Sequence, residues 1–413
     1  MTIEAPATAA TRPGARRTGL GAGAVGIGSL VANVLGYVLF LVLNRELSPA
    51  DLGAVASLLN LVIIASVAAL STQLVGACRV ATGRPDAHAT ALRAGAVVGL
   101  VITATVIALT PLLDRLLHLD GPLPVLLVAA SMLPTCVAAG AQGALQGDSR
   151  FVGLGGAYVL VAGGRTAGGV VAAALGWGVT GVMALTAAAT WVTCALVLLL
   201  VRRHVRPALR GGIPMQTRRV LTGMAGTSAL LVASTVDTPV ARHVLDADDS
   251  GAYAVLGLFA KAAFWGPAFL ATVLYPGMTR TKGVRPLLAA LGGTVGIVAA
   301  GVLLAVTLDD VLIRIVGGPG YTQLAGLVPV FTLLGGAWAI AQVLVYWGAA
   351  KNHYLVGYLV WGAVGIATLV VVRWRSSSVA EVGTTFLVAA GSVALLGALL
   401  SLYRARVGHR RAA

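Results

Sequence analysis

The chain has 413 residues, of which 58% are hydrophobic and only 10% charged. No soluble fold of this size hides so much apolar side chain, so the composition is that of an integral membrane protein. The net charge of +15 does not point to nucleic acid, because the basic residues sit between apolar runs instead of forming a patch. Cys78, Cys136 and Cys194 are the three cysteines; each stands alone in an apolar run, which excludes a disulfide framework and leaves no metal-ligand spacing.

Twelve apolar segments of about 18 to 27 residues follow one another, long enough as helices to cross a ~30 Å hydrocarbon core. They begin near Thr18, Leu52, Arg93, Leu123, Phe151, Gly178, Val220, Gly251, Pro286, Leu324, Tyr354 and Val382. None alternates with the period of two that a barrel strand requires. Arg12, Arg16 and Arg17 precede a first run too long for a cleaved signal, so it reads as an uncleaved anchor. The expected fold is an all-α polytopic membrane protein.

The basic residues orient these helices. With the first end inside, 21 of the 29 lysines and arginines fall in cytoplasmic gaps and only five outside, namely Arg45, Arg115, Arg314, Arg373 and Arg375. This positive-inside pattern predicts both termini in the cytoplasm. Ten of the fourteen acids fall in the outer gaps, a weaker signal in the same direction. The remaining three cations, Arg165, Arg242 and Lys261, lie within apolar segments, as does Asp237.

The longest basic gap, 202–219, contains Pro207, Gly211, Gly212 and Pro214 and divides the segments six and six. The expected organisation is a cytoplasmic tail over 1–17, a six-helix lobe over 18–201, a basic linker over 202–219, a second six-helix lobe over 220–403 and a basic tail over 404–413. An internal echo crosses the linker: Leu47-Ser48-Pro49-Ala50-Asp51-Leu52-Gly53-Ala54-Val55-Ala56 against Leu245-Asp246-Ala247-Asp248-Asp249-Ser250-Gly251-Ala252-Tyr253-Ala254. Both copies occupy the outer gap between the first and second helices of their half. Six helices per half place both halves in one orientation, related by a pseudo-two-fold along the membrane normal.

Ionised groups in hydrocarbon are unfavourable by several kcal/mol, roughly 2.5 to 3.5 on insertion scales, so they mark watery cavities, partners or ligands. Arg165 stands among Gly163, Gly164, Gly168 and Gly169, whose missing side chains admit another helix or a ligand; its planar fork suits a phosphate, or else a structural partner such as Asp237. Lys261 lies about ten residues into its segment, too deep to snorkel easily, with Phe264, Trp265 and Pro267 after it; it is a second anion contact or a structural ion. Arg242, near an outer end, is an interface anchor or a further anion contact. Asp237 precedes Pro239, which removes the helix bond to the Thr235 carbonyl and predicts a bend beside the acid. Such an acid either binds a coupling H⁺ or Na⁺ or pairs with Arg242, Arg165 or Lys261. Asn33, Tyr37, Gln73, Gln142 and Gln342 are amides and a phenol suited to a sugar path, and equally to interhelical hydrogen bonds.

Other motifs do not carry function. Gly21-Ala22-Gly23-Ala24-Val25-Gly26 fits a dinucleotide fingerprint but follows no strand, no phosphate-binding loop is present, and Asp114, His118 and Asp120 form a solvated outer turn. No cofactor is expected beyond the coupling ion, and the oligomeric state is open.

Three stretches resemble a known family: Asn33 to Gly53 with Gly36-Tyr37, Asn44-Arg45, Leu47 and Pro49; Gln142 to Phe151 with Gln146-Gly147 and Arg150-Phe151; and Asp237 to Pro276 with Arg242-His243, Gly251-Ala252-Tyr253, Lys261 and Tyr275-Pro276. They are similar to bacterial polysaccharide flippases of the multidrug/oligosaccharidyl-lipid/polysaccharide exporter superfamily. The resemblance implies an undecaprenyl-diphosphate-linked oligosaccharide as substrate, moved by alternating access without enzymatic chemistry. On that implication Arg165 and Lys261 hold the diphosphate, with Arg242, Asn33 and Gln73 as further contacts, while Asp237 and Pro239 serve coupling or gating. The partners are then a lipid-linked anionic glycan and membrane lipid. The competing readings are a multidrug or metabolite exporter of related fold, a membrane subunit of a glycan polymerase or glycosyltransferase system, and a scaffold that has kept the fold.

Overall fold

The computed structural model describes residues 14–83, 86–204, 225–267, 270, 278, 284–351 and 353–410. Residues 205–219 of the expected linker, 1–13 and 411–413 of the tails, and Tyr275-Pro276 lie outside them. Among the described residues all regular structure is helical. In the first half these are α1 (Gly14–Glu46), α2 (Pro49–Ala65), α3 (Val67–Ala81), α4 (Ala87–Leu116), α5 (Leu123–Gly147), α6 (Phe151–Ala174) and α7 (Gly178–Leu200). The second half has α8 (Ala225–Ala233), α9 (Asp237–Val244), α10 (Ala247–Trp265), α11 (Arg285–Thr307), α12 (Asp309–Val316), a 3₁₀ turn (Pro319–Leu327), α13 (Val328–Ala350), α14 (Leu355–Trp374) and α15 (Val379–Arg410). The helix α15 runs through 404–410, so most of the expected C-terminal tail continues the last helix.

The described residues carry helix in each of the twelve expected segments, the start of the seventh at Val220 lying outside them: α2 with α3 forms the second, α8 with α9 the seventh, and the 3₁₀ turn with α13 the tenth. Ten spans among the described residues are long and apolar enough to cross a membrane. The two that fall short are the seventh and eighth, and they carry Asp237, Arg242 and Lys261. Their charge is tolerated because they are interior: Ser250 to Leu258 on α10 are all buried, so protein instead of lipid surrounds them.

The two halves repeat one packing scheme. In the first lobe α1 packs on α6, α3 and α4 on α5, and α5 and α6 on α7. The equivalents recur in the second lobe, where α8 packs on α14, α10 and α11 on α13, and α13 and α14 on α15. The lobes are joined through α2, which packs on α8, α9 and α10.

The echoed sequence is the physical basis of this joint. Ser48, in extended conformation, caps α2 by accepting the Asp51 N–H at 3.2 Å, and Pro49 begins the helix without a donor to satisfy. Asp246 caps α10 in the same way, accepting the Asp249 N–H at 2.8 Å. Five residues past each cap stands a glycine, and the two glycines meet across the lobes. A methyl group on Gly251 would strike the Pro49 backbone, and one on Gly53 would strike the Ser250 side chain and lie 3.0 Å from the Gly251 nitrogen. Only hydrogen at both positions lets the capped helix starts approach so closely.

Candidate functional site between the lobes

The helix break expected beside Asp237 is present. The helix α8 stops at Ala233, Ser234 to Val236 form a turn, and α9 begins at Asp237. Pro239 has no N–H for the Thr235 carbonyl, so the ladder cannot run through. Asp237 is 6% exposed and accepts two hydrogen bonds, from Tyr253 Oη on α10 at 3.1 Å and from the Thr238 N–H at 2.9 Å. Its position in the first turn of α9 also sets the carboxylate in the favourable end of the helix dipole. No cation pairs with it among the described residues.

Lys261 lies on α10, half-buried, two turns beyond Tyr253. Its Nζ stands over the Phe40 ring of α1, 5.1 Å from the centroid, a cation–π contact that spans the lobes. It forms no ion pair or hydrogen bond among the described residues, though its charge and that of Asp237 are close enough to interact. Beside this contact a cavity of about 380 Å³ opens between α1 and the second lobe, lined by Tyr37, Leu41, Phe259, Ala263 and Thr332 among others. The Tyr37 hydroxyl is buried without a hydrogen-bond partner among the described residues.

The other predicted residues are not drawn together with these. Arg165, half-buried on α6, faces a crevice of about 10 Å³ inside the first lobe, beside Leu59 and Val62 of α2, Ser131 of α5 and Thr186 and Thr190 of α7. That is the room of about one water. Its neighbouring glycines serve helix approach: a methyl on Gly168 would meet the Leu185 carbonyl at 2.6 Å, and one on Gly169 the Leu39 side chain at 2.5 Å. Gln73 is 5% exposed and donates to Gln146 Oε1 at 3.1 Å and Tyr158 Oη at 2.6 Å, tying α3, α5 and α6 together. Asn33 is exposed on α1.

Arg242 is 7% exposed and every limb of its guanidinium is engaged. Nε donates to the Leu117 carbonyl at 2.9 Å, Nη2 to His118 O at 3.3 Å, and Nη1 to Ala50 O at 3.2 Å and Ser250 Oγ at 2.8 Å. It joins the lobes at the end of the bundle that is poor in arginine, and it lines a cavity of about 720 Å³ there together with Asp51, His118, Asp120 and Asp246.

Sequence reasoning passed over Tyr253, Asn44 and Asn60. Tyr253 stands inside the echoed motif, but nothing in the motif says that its hydroxyl meets Asp237. Asn44 is the counterpart of Arg242 when the echo is extended three residues upstream, where the two copies no longer match. Asn60 lies on α2 at 0% exposure with neither amide atom bonded among the described residues.

Twelve helical segments in two equivalent lobes, joined at one end through the second segment of each and holding charge between them, can be set beside solved structures. A MATE family multidrug resistance transporter of the MOP superfamily, in an inward-facing conformation, superposes with a TM-score of 0.74 over 92% of this chain and 96% of its own, at 15% identity. The chain shares the fold of that transporter. The lipid II flippase MurJ in an inward closed conformation matches with a TM-score of 0.72, 12% identity, over 92% of this chain and 87% of its own. The eukaryotic MATE transporter AtDTX14 matches with a TM-score of 0.64, 11% identity, over 96% and 98%. No protein-family model and no curated protein matches the sequence. At these identities the fold alone is what is shared.

Proposed function

We propose that the chain is a flippase of a bacterial inner membrane that moves an undecaprenyl-diphosphate-linked oligosaccharide across the bilayer by alternating access. The observation that carries this reading is Lys261. An ammonium held between the lobes against Phe40, without a carboxylate partner among the described residues, is a ready site for an anionic group that enters the interlobe space. Asp237 interacts with this ammonium without pairing with it among the described residues, so a cation in the membrane interior lacks a direct partner, and a diphosphate supplies one. Asp237, on the broken segment next to it, is the group to take up H⁺ or Na⁺ and bias the Ser234–Val236 turn. Arg165 enters the site only when α2, which walls its crevice, shifts. The likeness to MurJ, a lipid II flippase, supports a lipid-linked substrate. The arginine-rich end, with both termini, is then cytoplasmic, and joining of the lobes at the opposite end corresponds to an inward-facing state.

The test is reconstitution into vesicles with labelled polyprenyl-diphosphate oligosaccharide, scoring arrival in the opposite leaflet. Lys261→Ala and Asp237→Asn are expected to lower the rate at least tenfold at unchanged protein level, with Lys261→Arg retaining activity. Wild-type rates equal to empty vesicles overturn the reading. A multidrug exporter is the second reading, favoured by the MATE likeness and by Asp237, the one buried acid among the described residues; proton- or sodium-driven efflux of a cationic dye, lost in Asp237→Asn and kept in Lys261→Ala, would establish it instead.

A further inference from the structure

Arg165 stands near the middle of α6, yet it forms no hydrogen bond or ion pair among the described residues. A guanidinium keeps its charge when it leaves water, and inside a membrane it is ordinarily paired with an acid or with backbone carbonyls. The other two intramembrane cations have acids near them: Asp237 is within electrostatic reach of Lys261, and Asp51 and Asp120 are within reach of Arg242. Among the described residues no carboxylate reaches Arg165.

The surroundings of this guanidinium are neutral. Its crevice of about 10 Å³ is walled by Leu59 and Val62 of α2 and Ala187 of α7, and its polar side chains are Ser131, Thr186 and Thr190. These three are 6%, 3% and 4% exposed, and each turns its hydroxyl proton into its own helix. Ser131 Oγ donates to the Val128 carbonyl at 2.7 Å, Thr186 Oγ1 to the Val182 carbonyl at 2.8 Å, and Thr190 Oγ1 to the Thr186 carbonyl at 2.8 Å. The walls therefore offer lone pairs without charge, and nothing in them offsets a full positive charge.

Size and charge together select a ligand. The room is that of about one water molecule, which excludes a phosphate, a carboxylate metabolite or a lipid headgroup. Guanidinium is a donor without acceptors, so its complement is an acceptor with no protons of its own to place. Water meets the size but leaves the charge unmatched; a chloride ion, nearly as small, meets both. Arg165 is only half-buried, which leaves an ion a way in.

We propose that the Arg165 crevice is a site for one small monovalent anion, chloride or another halide, paired with the guanidinium inside the first lobe. Leu59 and Val62 close the crevice from α2, the helix that joins the lobes, so the bound ion holds α2 against α5 and α7 and stabilises this state. The site does not depend on what passes between the lobes. The experiment is thermal unfolding of the purified full-length chain in detergent, with sodium chloride replacing sodium gluconate, a salt of a large anion, at constant ionic strength. The midpoint should rise with chloride and saturate, as binding to the folded state requires, and bromide should act likewise. Arg165→Gln should weaken the apparent chloride affinity at least about tenfold. Ala187→Leu, which keeps the arginine and fills the crevice with carbon, should abolish the response, while Lys261→Gln should retain it. No saturating response in the unaltered chain means an ordered water alone and overturns the proposal. A response that survives Arg165→Gln or Ala187→Leu, or is lost in Lys261→Gln, places the ion elsewhere and also overturns it. Should either crevice variant fail to fold, anomalous scattering from bromide in crystals of the unaltered chain locates the ion directly; a peak at Arg165 is expected, and its absence there overturns the proposal. Nothing need be transported in these measurements, so failure here is separate from failure of the flippase reading.

Discussion

Asn44 and Arg242 occupy equivalent places in the two halves and make reciprocal bonds across the lobes. Asn44 Nδ2, on the first helix of the first lobe, donates to the carbonyls of Val316 and Gly317 at 3.0 and 2.8 Å, beyond the third membrane segment of the second lobe. Arg242, on the first segment of the second lobe, donates to the carbonyls of Leu117 and His118, just beyond the third segment of the first. Each lobe therefore latches the other at the arginine-poor end. The two latches differ in strength because one donor is charged and the other neutral.

Loss of the charged latch should open that end. Arg242→Ala removes bonds from an ionised donor, each worth about 1.5 to 3 kcal/mol, whereas Asn44→Ala removes neutral ones worth about 0.5 to 1.5. Spin labels at Asp120→Cys and Asp246→Cys, on opposite lobes around the same cavity, will report the distance in a background lacking the exposed Cys78. A longer-distance population is expected, more than tenfold enriched in Arg242→Ala and less so in Asn44→Ala. Unchanged distributions in both would mean that the latch does not hold the lobes.

The glycine joint makes an ordered prediction. Gly251→Ala sets a methyl group against the Pro49 backbone, which cannot yield without moving α2, while Gly53→Ala meets the Ser250 hydroxymethyl, which can rotate. Gly251→Ala should destabilise the closed state by about 1–3 kcal/mol and Gly53→Ala by less. Thermal unfolding of the purified variants in one detergent gives the order directly, and the reverse order would refute the packing assignment.

Asn60 should behave in the opposite sense. Its amide is fully buried on the helix that joins the lobes, with neither atom satisfied among the described residues, a condition that costs about 1–3 kcal/mol. Asn60→Leu, of similar volume, is expected to raise the thermal midpoint and slow turnover by favouring this state. A lower midpoint together with faster turnover would show that the amide has a partner in another state that matters more.

At the arginine-rich end, His204 stacks on His88 with centroids 4.0 Å apart, and His88 Nε2 lies 2.8 Å from Asp148 Oδ1. Burial, then the neighbouring His88, with Arg150 and Arg203, holds the His204 imidazole below its ordinary value, against the opposing pull of Asp148. The folded protein thus favours neutral His204. Its contribution is complete above about pH 6.5, the ordinary imidazole value, and is lost as pH falls through the lowered one. Hydrogen exchange over α4's first turn should quicken as pH drops from 7 to 5, after correction for intrinsic rates, and His204→Gln should remove most of that dependence. The effect is small because the ring is partly exposed.

Twelve helices, their division six and six and the bend at Pro239 were all legible in the sequence, since each follows from local chemistry: apolar run length, a basic gap, a missing N–H. The echoed motif was legible as a repeat and only half legible as physics. Its caps are local, but the contact of Gly53 with Gly251 joins positions 198 residues apart.

What the sequence determined by itself is that charge must be hidden at Arg165, Asp237, Arg242 and Lys261, because hydrocarbon does not tolerate it exposed. Which charge does what was decided by tertiary packing alone. Pairing depends on which helix faces which, and that depends on where glycines allow close approach. So Arg242 became a latch held by four acceptors, Arg165 was closed into a crevice behind α2, Asp237 was given to Tyr253, and Lys261 was left against an aromatic ring without a direct ion pair among the described residues.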